Sequence, residues 1–464
     1  MFLISENYDD RVALINGDGY SVTYKEFKDL VSSFSSYLDS RALIFIIGSN
    51  DIASLVCYFS SFEKNIVPLL LSKDILNNQL DDLISIYNPK YIFSQKKVAA
   101  IGYSQLTKYR EYSLLSKSTD KYKLHNDLAL LLTTSGSTGS RKLVKLTKKN
   151  LESNAKSISE YLEIDQDNRA ITSLPFNYSY GLSVINSHLY SGGSIVLTNL
   201  SMMEKDFWSI IRKNSVTSLA GVPYNYEIIS RLNIDKLDVP SLNKMTQAGG
   251  KLSNKIVQNI YTACKNKSID FYTMYGQTEA SPRISYLPTN DTARKPNSIG
   301  IAIPGGCLWI EDEKGSKITK DGLVGELIYQ GDNVSMGYAE KIYDLSLENL
   351  NQGILRTGDL AFFDKDGYFY IKGRKNRFVK IFGIRISLDS LERMMSEKGY
   401  ICAAIGDDFG LQLYVVSLLG LSTEELRAEV ASIIGINMIV ISIIIVADLP
   451  RLETGKINYK LLKK

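Results

Sequence analysis

The sequence predicts an α/β fold: a large N-terminal lobe of mixed and parallel β-sheets covered by helices, bearing a small β module, and then a small α+β C-terminal lobe. Three observations predict it. From about residue 40 to 275, short β-branched runs alternate with amphipathic stretches. From about 295 to 371 the runs shorten and turns crowd in. Beyond a basic and polar segment, KGRKNRFVKIFG at 372–383, the alternation restarts.

The first region offers strand candidates at 43–47, 66–70, 129–132, 170–173, 194–197, 218–221 and 271–274, with helical candidates at 150–161, 204–213 and 254–265. Strands that read as nearly continuous apolar runs and are separated by helices form parallel sheets with both faces covered. In the second region PGG at 304–306, DEKGS at 312–316 and KDG at 365–367 punctuate short strands, the pattern of an antiparallel module. The third region predicts a helix at 388–396, strands at 401–405 and 411–416, a helix at 423–434 and a strand at 439–446. Residues 430–447 are almost continuously apolar, but Ser432, Gly435, Asn437 and Ser442 interrupt them and the Ile/Val-rich second half suits a buried strand rather than a membrane span. The domain boundary falls near 373–376, giving domains 1–373 and 374–464.

Composition limits the function classes. With 464 residues, 44% apolar and 22% charged, the chain buries a large core, and roughly 150 residues per domain predicts two or three domains. A net charge of +4 is too small for this length to argue for nucleic acid or an anionic membrane. Cys57, Cys264, Cys307 and Cys402 lie far apart with no C-x-x-C pair, which favours reduced thiols and a cytoplasmic location over disulfides or zinc.

The chemistry concentrates in short segments. Residues 133–142, TTSGSTGSRK, follow a predicted strand. Glycines let the backbone turn tightly around an anion, N–H groups and hydroxyls donate to phosphate oxygens, and two cations add charge. The spacing is not that of a Walker loop. Further on stand QAGGKL at 247–252, MYGQTEAS at 274–281, LRTGDL at 355–360, GRKNR at 373–377 and LPRLETGKINYKLL at 449–462. Taken alone, each has an ordinary structural explanation, such as a surface turn, a capped helix start or a solvated lysine. Their order decides otherwise.

That ordered set resembles the acyl-activating (adenylate-forming) superfamily, which includes acyl-CoA synthetases, peptide-synthetase adenylation domains and firefly luciferase. Against the family's phosphate loop T-S-G-[ST]-T-G-x-P-K-G, residues Thr134, Ser135, Gly136, Ser137, Thr138, Gly139 and Lys142 match, while Arg141 replaces the proline and Leu143 the last glycine. The resemblance implies that Gly249 and Gly250 flank adenine and that Tyr275, followed by Gly276, stacks on it. It further implies that Thr278 binds the α-phosphate, Glu279 holds Mg²⁺, and Asp359 and Arg374 contact the ribose. Lys456 would bridge substrate carboxylate and α-phosphate. Asn376 takes the hinge position, and Gly383 in KIFGIR approaches the acceptor thiol.

The acyl pocket is implied to include LPFNYSYGLSVINSHLYSGG at 174–193, with Asn177, Tyr178 and Gly181, and GVPYNY at 221–226, with Val222 and Tyr224. Amino-acid activators usually carry an aspartate where Asn177 stands. An amide cannot neutralise a buried ammonium, so the expected substrate is a carboxylic acid without an α-amine. The expected reaction uses ATP and Mg²⁺ to form acyl-AMP, then transfers the acyl group to the thiol of CoA or of a carrier-protein phosphopantetheine. The alternatives are an amino-acyl or D-alanyl carrier ligase, a luciferase-like oxygenase, and a non-catalytic adenylate- or carrier-binding member.

Overall fold

The computed structural model describes the chain except residues 6, 40, 99–100, 119–122, 134–141, 376, 383, 408, 453–454 and 463–464 and the side chain of residue 385. Two large sheets dominate the first 340 residues. The nine-stranded sheet runs, in spatial order, 301–302, 285–287, 270–275, 244–247, 218–221, 169–171, 194–197, 12–16 and 21–23. Every pairing from 270–275 across to 12–16 is parallel, and antiparallel strands close both edges. The eight-stranded sheet is likewise parallel at its centre, where Leu43–Gly48 lies between Val67–Ser72 and Tyr91–Ser94.

Helices Tyr24–Ser35, Ile52–Glu63, Lys148–Tyr161 and Ser179–Tyr190 fill the space between these sheets, and their apolar faces join strands of both in one core. Capping defines their starts. Thr23 and Glu26 form a reciprocal capping box, as do Thr147 and Asn150, satisfying N–H groups that a helix start leaves without partners. The expected strands at 43–47, 194–197, 218–221 and 271–274 and helices at 150–161, 204–213 and 254–265 are present to within about two residues at either end.

The turn-rich stretch is the expected antiparallel module, a five-stranded sheet ordered 317–318, 307–311, 325–330, 354–363, 369–374. Its last hairpin pairs Asp359 directly opposite Arg374. After it, residues 379–441 build a separate core around Leu391, Leu413 and Val430, with a three-stranded sheet of Cys402–Gly406, Leu411–Val415 and Ile441–Ile445.

One expectation is corrected here. The apolar run 430–447 holds the expected helix end, but the strand expected at 439–446 is shorter and is not buried throughout. The first part of the run ends the helix Thr423–Ile434, which Gly435 closes at φ 70°; Met438–Val440 form a 3₁₀ turn; and Ile441–Ile445 is an edge strand with Ile441 buried and Ile445 exposed. An edge strand has no neighbouring strand on one side, so its apolar side chains are only partly covered. Among the described residues no helix is long and apolar enough to cross a membrane. The four cysteines are all free thiols.

Parallel pairing has a direct consequence for function. The strands at 169–171, 218–221, 244–247 and 270–275 all point the same way, so the segments following them emerge along one edge of the sheet. In open α/β sheets that edge is where ligands bind. The segments are 172–178, 222–226, 248–252 and 276–279.

Candidate active site

A cavity of about 380 Å³ opens at this edge. The nine-stranded sheet contributes Tyr178, Gly249, Thr278, Glu279 and Arg283; the antiparallel module contributes Arg356 to Gly358 and Arg374; the C-terminal lobe contributes Arg377 and Lys456.

The floor is the turn after strand Asp270–Tyr275. A Cβ on Gly276 would sit 1.6 Å from the Pro282 carbonyl oxygen, so only glycine lets the chain double back there. The doubled turn becomes the 3₁₀ segment Thr278–Ala280, not the start of an α-helix. Thr278 is buried, and its hydroxyl meets Ser179 Oγ at 3.0 Å at the start of helix Ser179–Tyr190. Glu279 Oε1 accepts a hydrogen bond from Tyr338 Oη at 2.7 Å. Lys142 Nζ sits 3.7 Å above the Tyr338 ring, which ties the end of the predicted phosphate loop to the carboxylate. Thr134 to Gly139 fall outside the described residues.

Asp359 is only 3% exposed. Its Oδ2 accepts from Tyr275 Oη and, at 3.0 Å, from Gln277 Nε2, and its Oδ1 lies 3.4 Å from Arg374 Nε. Burial pushes this carboxyl up and Arg374 pulls it back. The Tyr275 hydroxyl therefore anchors the carboxylate from below, and burial beside Asp359 keeps that phenol protonated.

Lys456 comes from the tail turn. Arg451 Nη1 donates to the Gly455 carbonyl at 3.0 Å, and Leu452 N to the Lys456 carbonyl at 2.8 Å. Arg451 also lies over the Tyr224 ring at 4.9 Å and 3.8 Å from Glu227, which docks the turn on helix Pro223–Leu232. The lysine stem then passes between two walls. Gly249, at φ +87°, would carry a Cβ 2.7 Å from Tyr178 Oη and 3.9 Å from Lys456 Cε, so a side chain there would crowd both. Burial, and then Arg374, lower the Lys456 ammonium to about 8, while Glu279 and Asp359 act in the opposite sense.

The remaining acyl candidates are spread around this cavity. Tyr178 and its neighbour Tyr180 form part of the wall. Gly181 sits in the first turn of helix Ser179–Tyr190 against the Pro175 carbonyl, and Gly250 packs on Pro223. Val222 lies between Gly249 and Gly455, and Tyr224 under Arg451, so both meet the tail turn. Asn177 is half-buried just before that helix and does not reach the cavity wall. Asn376 and Gly383 lie outside the described residues.

Sequence reasoning missed Ser179, Gln277, Arg283, Tyr338 and Arg377. Gln277 and Arg283 sit inside or next to a motif that was read for other residues. Tyr338 lies in a two-residue edge strand far from any motif, with no signal to find it. Arg377 had a signal in the basic segment: it binds buried Glu392 at 2.7 Å and stacks on Tyr459 at 3.9 Å, which holds the start of the C-terminal lobe to its own core.

Residues 4–339 match the family model described as AMP-binding enzyme. The chain belongs to that family, within the adenylate-forming superfamily. A "4-coumarate--CoA ligase-like 6" from Arabidopsis thaliana is 23% identical, over all of this chain and 89% of its own length. A "D-alanine--D-alanyl carrier protein ligase" from Listeria monocytogenes is 24% identical over 83% of this chain and 81% of its own. The solved O-succinylbenzoate coenzyme A synthetase from Bacillus subtilis, in complex with ATP and magnesium ion, superposes with a TM-score of 0.78 at 21% identity, covering 98% of this chain and 97% of that one. It shares the two-lobed adenylate-forming fold.

Proposed function

We propose that this family member is an AMP-forming acid–thiol ligase. It would activate a carboxylic acid lacking an α-amine as acyl-AMP, with release of pyrophosphate, and transfer the acyl group to the thiol of CoA or of a carrier-protein phosphopantetheine. The observation that carries this reading is the placement of half-buried Lys456 in the cavity that also holds Thr278, Glu279 and Arg374. When the acid's oxygen attacks the α-phosphorus, charge grows on the phosphoryl oxygens and on departing pyrophosphate. An ammonium fixed in a desolvated site stabilises that charge more in the transition state than before it. Thr278 would donate to an α-phosphate oxygen, and the Asp359–Arg374 pair would hold the ribose.

Magnesium fits the residues present. One carboxylate, Glu279, faces the cavity beside a threonine hydroxyl, and no group of three or more His, Cys, Asp or Glu among the described residues forms an all-protein metal cage. This matches an ion that takes one or two carboxylates and fills its shell with phosphate oxygens and water. When bound it would neutralise phosphate charge, and the chain's part is to hold it through Glu279.

Two lobes, residues 1–373 and 374–464, would swivel about Asn376 between the two half-reactions, bringing Gly383 to the thiol. The test is product identity. Incubation with ATP, Mg²⁺ and a mixed acid library should release AMP and pyrophosphate, and added CoA or carrier protein should raise turnover. Release of ADP, or a preference for α-amino acids, contradicts the reading.

A further inference from the structure

Among the described residues the largest fully buried side chain is a cation, Arg283, at 2% exposure. It lies just past the Thr278–Ala280 turn and lines the cavity. Its guanidinium stacks on Tyr180 with Cζ 4.2 Å from the ring centroid. Among the described residues no carboxylate lies within ion-pair distance of it, and its buried Nε makes no hydrogen bond. Buried charges are ordinarily paired, because taking an ion out of water costs several kcal/mol that only a partner offsets. The Tyr161 hydroxyl accepts from the guanidinium and a ring face supplies part of the remaining compensation, but neither satisfies the Nε–H.

The surroundings say which end of the site this is. Arg283 lies close enough to influence Tyr161, Tyr178 and Tyr180, whereas the charges that act on Lys456 are Arg374, Glu279 and Asp359. Arg283 therefore belongs to the aromatic end of the cavity, away from the ribose carboxylate and the magnesium carboxylate. Tyr161, Tyr180, Ala248, Met274 and Ile284 form the apolar packing there. Burial pushes the three phenols up to about 12, so each is a hydrogen-bond donor at neutral pH. Tyr161 spends its hydroxyl on Met274 and Tyr180 on Thr246, whereas Tyr178 Oη makes no hydrogen bond with any described residue and borders the cavity.

We propose that the acid activated here carries a second anionic group, a distal carboxylate, and that Arg283 with the Tyr178 hydroxyl receives it. The inference rests on the acid-activating reading of the site and narrows it to dicarboxylic acids. A bidentate guanidinium–carboxylate contact supplies both the missing charge and the missing acceptors. The same cation repels an α-ammonium, which adds a reason for excluding amino acids that Asn177 alone does not supply.

Matched acids test it: succinate against butyrate, glutarate against pentanoate, phthalate against benzoate, each with wild type, Arg283→Met and Arg283→Lys. Two readouts are taken, acid-dependent ATP–pyrophosphate exchange and calorimetric binding of the acid alone. In at least one pair the wild type should favour the diacid. Arg283→Met should lose at least about 30-fold on that diacid, as expected for truncating one partner of a buried ion pair, and no more than about 3-fold on its monoacid partner. Arg283→Lys should fall between, keeping the charge without the fork. Equal losses on both acids, or monoacids bound and exchanged as well as diacids by the wild type, would overturn the proposal. Diacid binding that depends on Arg283 without any exchange would support this inference while refuting the ligase reading. If Arg283→Met does not fold, the wild-type preference and the lysine variant still decide.

Discussion

The two ends of the cavity are built on opposite plans. At the proposed ribose end, Asp359 is buried but fully engaged, with Tyr275, Gln277 and Arg374 all directed at its oxygens. At the proposed acyl end, Arg283 is buried just as deeply, beside the Tyr180 ring and the Tyr161 hydroxyl, with no described carboxylate within ion-pair distance. The difference teaches what each end expects from its ligand. A pre-satisfied carboxylate accepts a neutral hydroxyl pair without reorganisation. On the proposed reading a cation lacking a carboxylate partner is completed only when an anion arrives, so that end would discriminate between acids while the other would treat every ATP alike.

The contrast can be broken at several points. Asp359→Ala leaves Arg374, Gln277 and Tyr275 without their common acceptor, and removing one partner of a buried pair costs about 3–5 kcal/mol. Since Arg374 itself is well exposed, the lower end of that range applies, and kcat/KM for ATP in pyrophosphate exchange should fall roughly 100-fold for every acid alike. A loss that varies with the acid would mean that the two ends are not independent.

A pH profile comes next. On the proposed reading the reaction needs the charged form of Lys456, whose ammonium burial lowers from its ordinary value to about 8. Because kcat/KM reports groups of the free enzyme, it should drop about tenfold per pH unit above that point. Stability runs the other way for this group. Its folded pKa lies below the ordinary lysine value of 10.5, so between about 8 and 10.5 the unfolded chain binds more protons, and this group's contribution rises with pH. Loss of rate without loss of thermal stability across that window is the expected signature; a flat rate profile to pH 10 contradicts it. The smallest effect is that of Tyr338→Phe. It removes one hydrogen bond to the Glu279 carboxylate, about 1.5–3 kcal/mol at most for a charged acceptor, and less here because the pair reaches solvent. We expect a several-fold rise in the magnesium requirement with the maximal rate preserved.

Much of the fold was legible in the sequence because its central strands are apolar runs and three helices show clean amphipathic stripes. Several elements escaped, two of them for physical reasons that the structure makes plain. Helix Ile52–Glu63 is buried from Ile52 through Phe62, so it has no polar face to reveal a period. Strand Lys244–Gln247 lies in the middle of the parallel sheet yet reads KMTQ; its buried lysine is satisfied by the Glu163 carbonyl and Asn168 Oδ1, partners that appear only after folding. The site divides in the same way. Thr278, Glu279, Asp359, Arg374 and Lys456 were named from local motifs; in the structure four of them line one cavity and Asp359 lies behind it, paired with Arg374. Arg283 and Tyr338 meet neighbours distant in sequence, Tyr180 and Glu279, so no spacing announced them. Val222 and Tyr224 were read as acyl wall from the sequence, whereas their nearest contacts include the tail turn that carries Lys456.

The account as a whole depends on a cation delivered by the C-terminal lobe to the nucleotide, and separating the half-reactions of Lys456→Ala tests that most directly. Single-turnover formation of acyl-AMP should slow by about 10²–10³, the cost of losing one preorganised donor, while thioester formation from supplied acyl-AMP stays within a few-fold of wild type. An unchanged adenylation rate, or equal losses in both steps, would contradict the account.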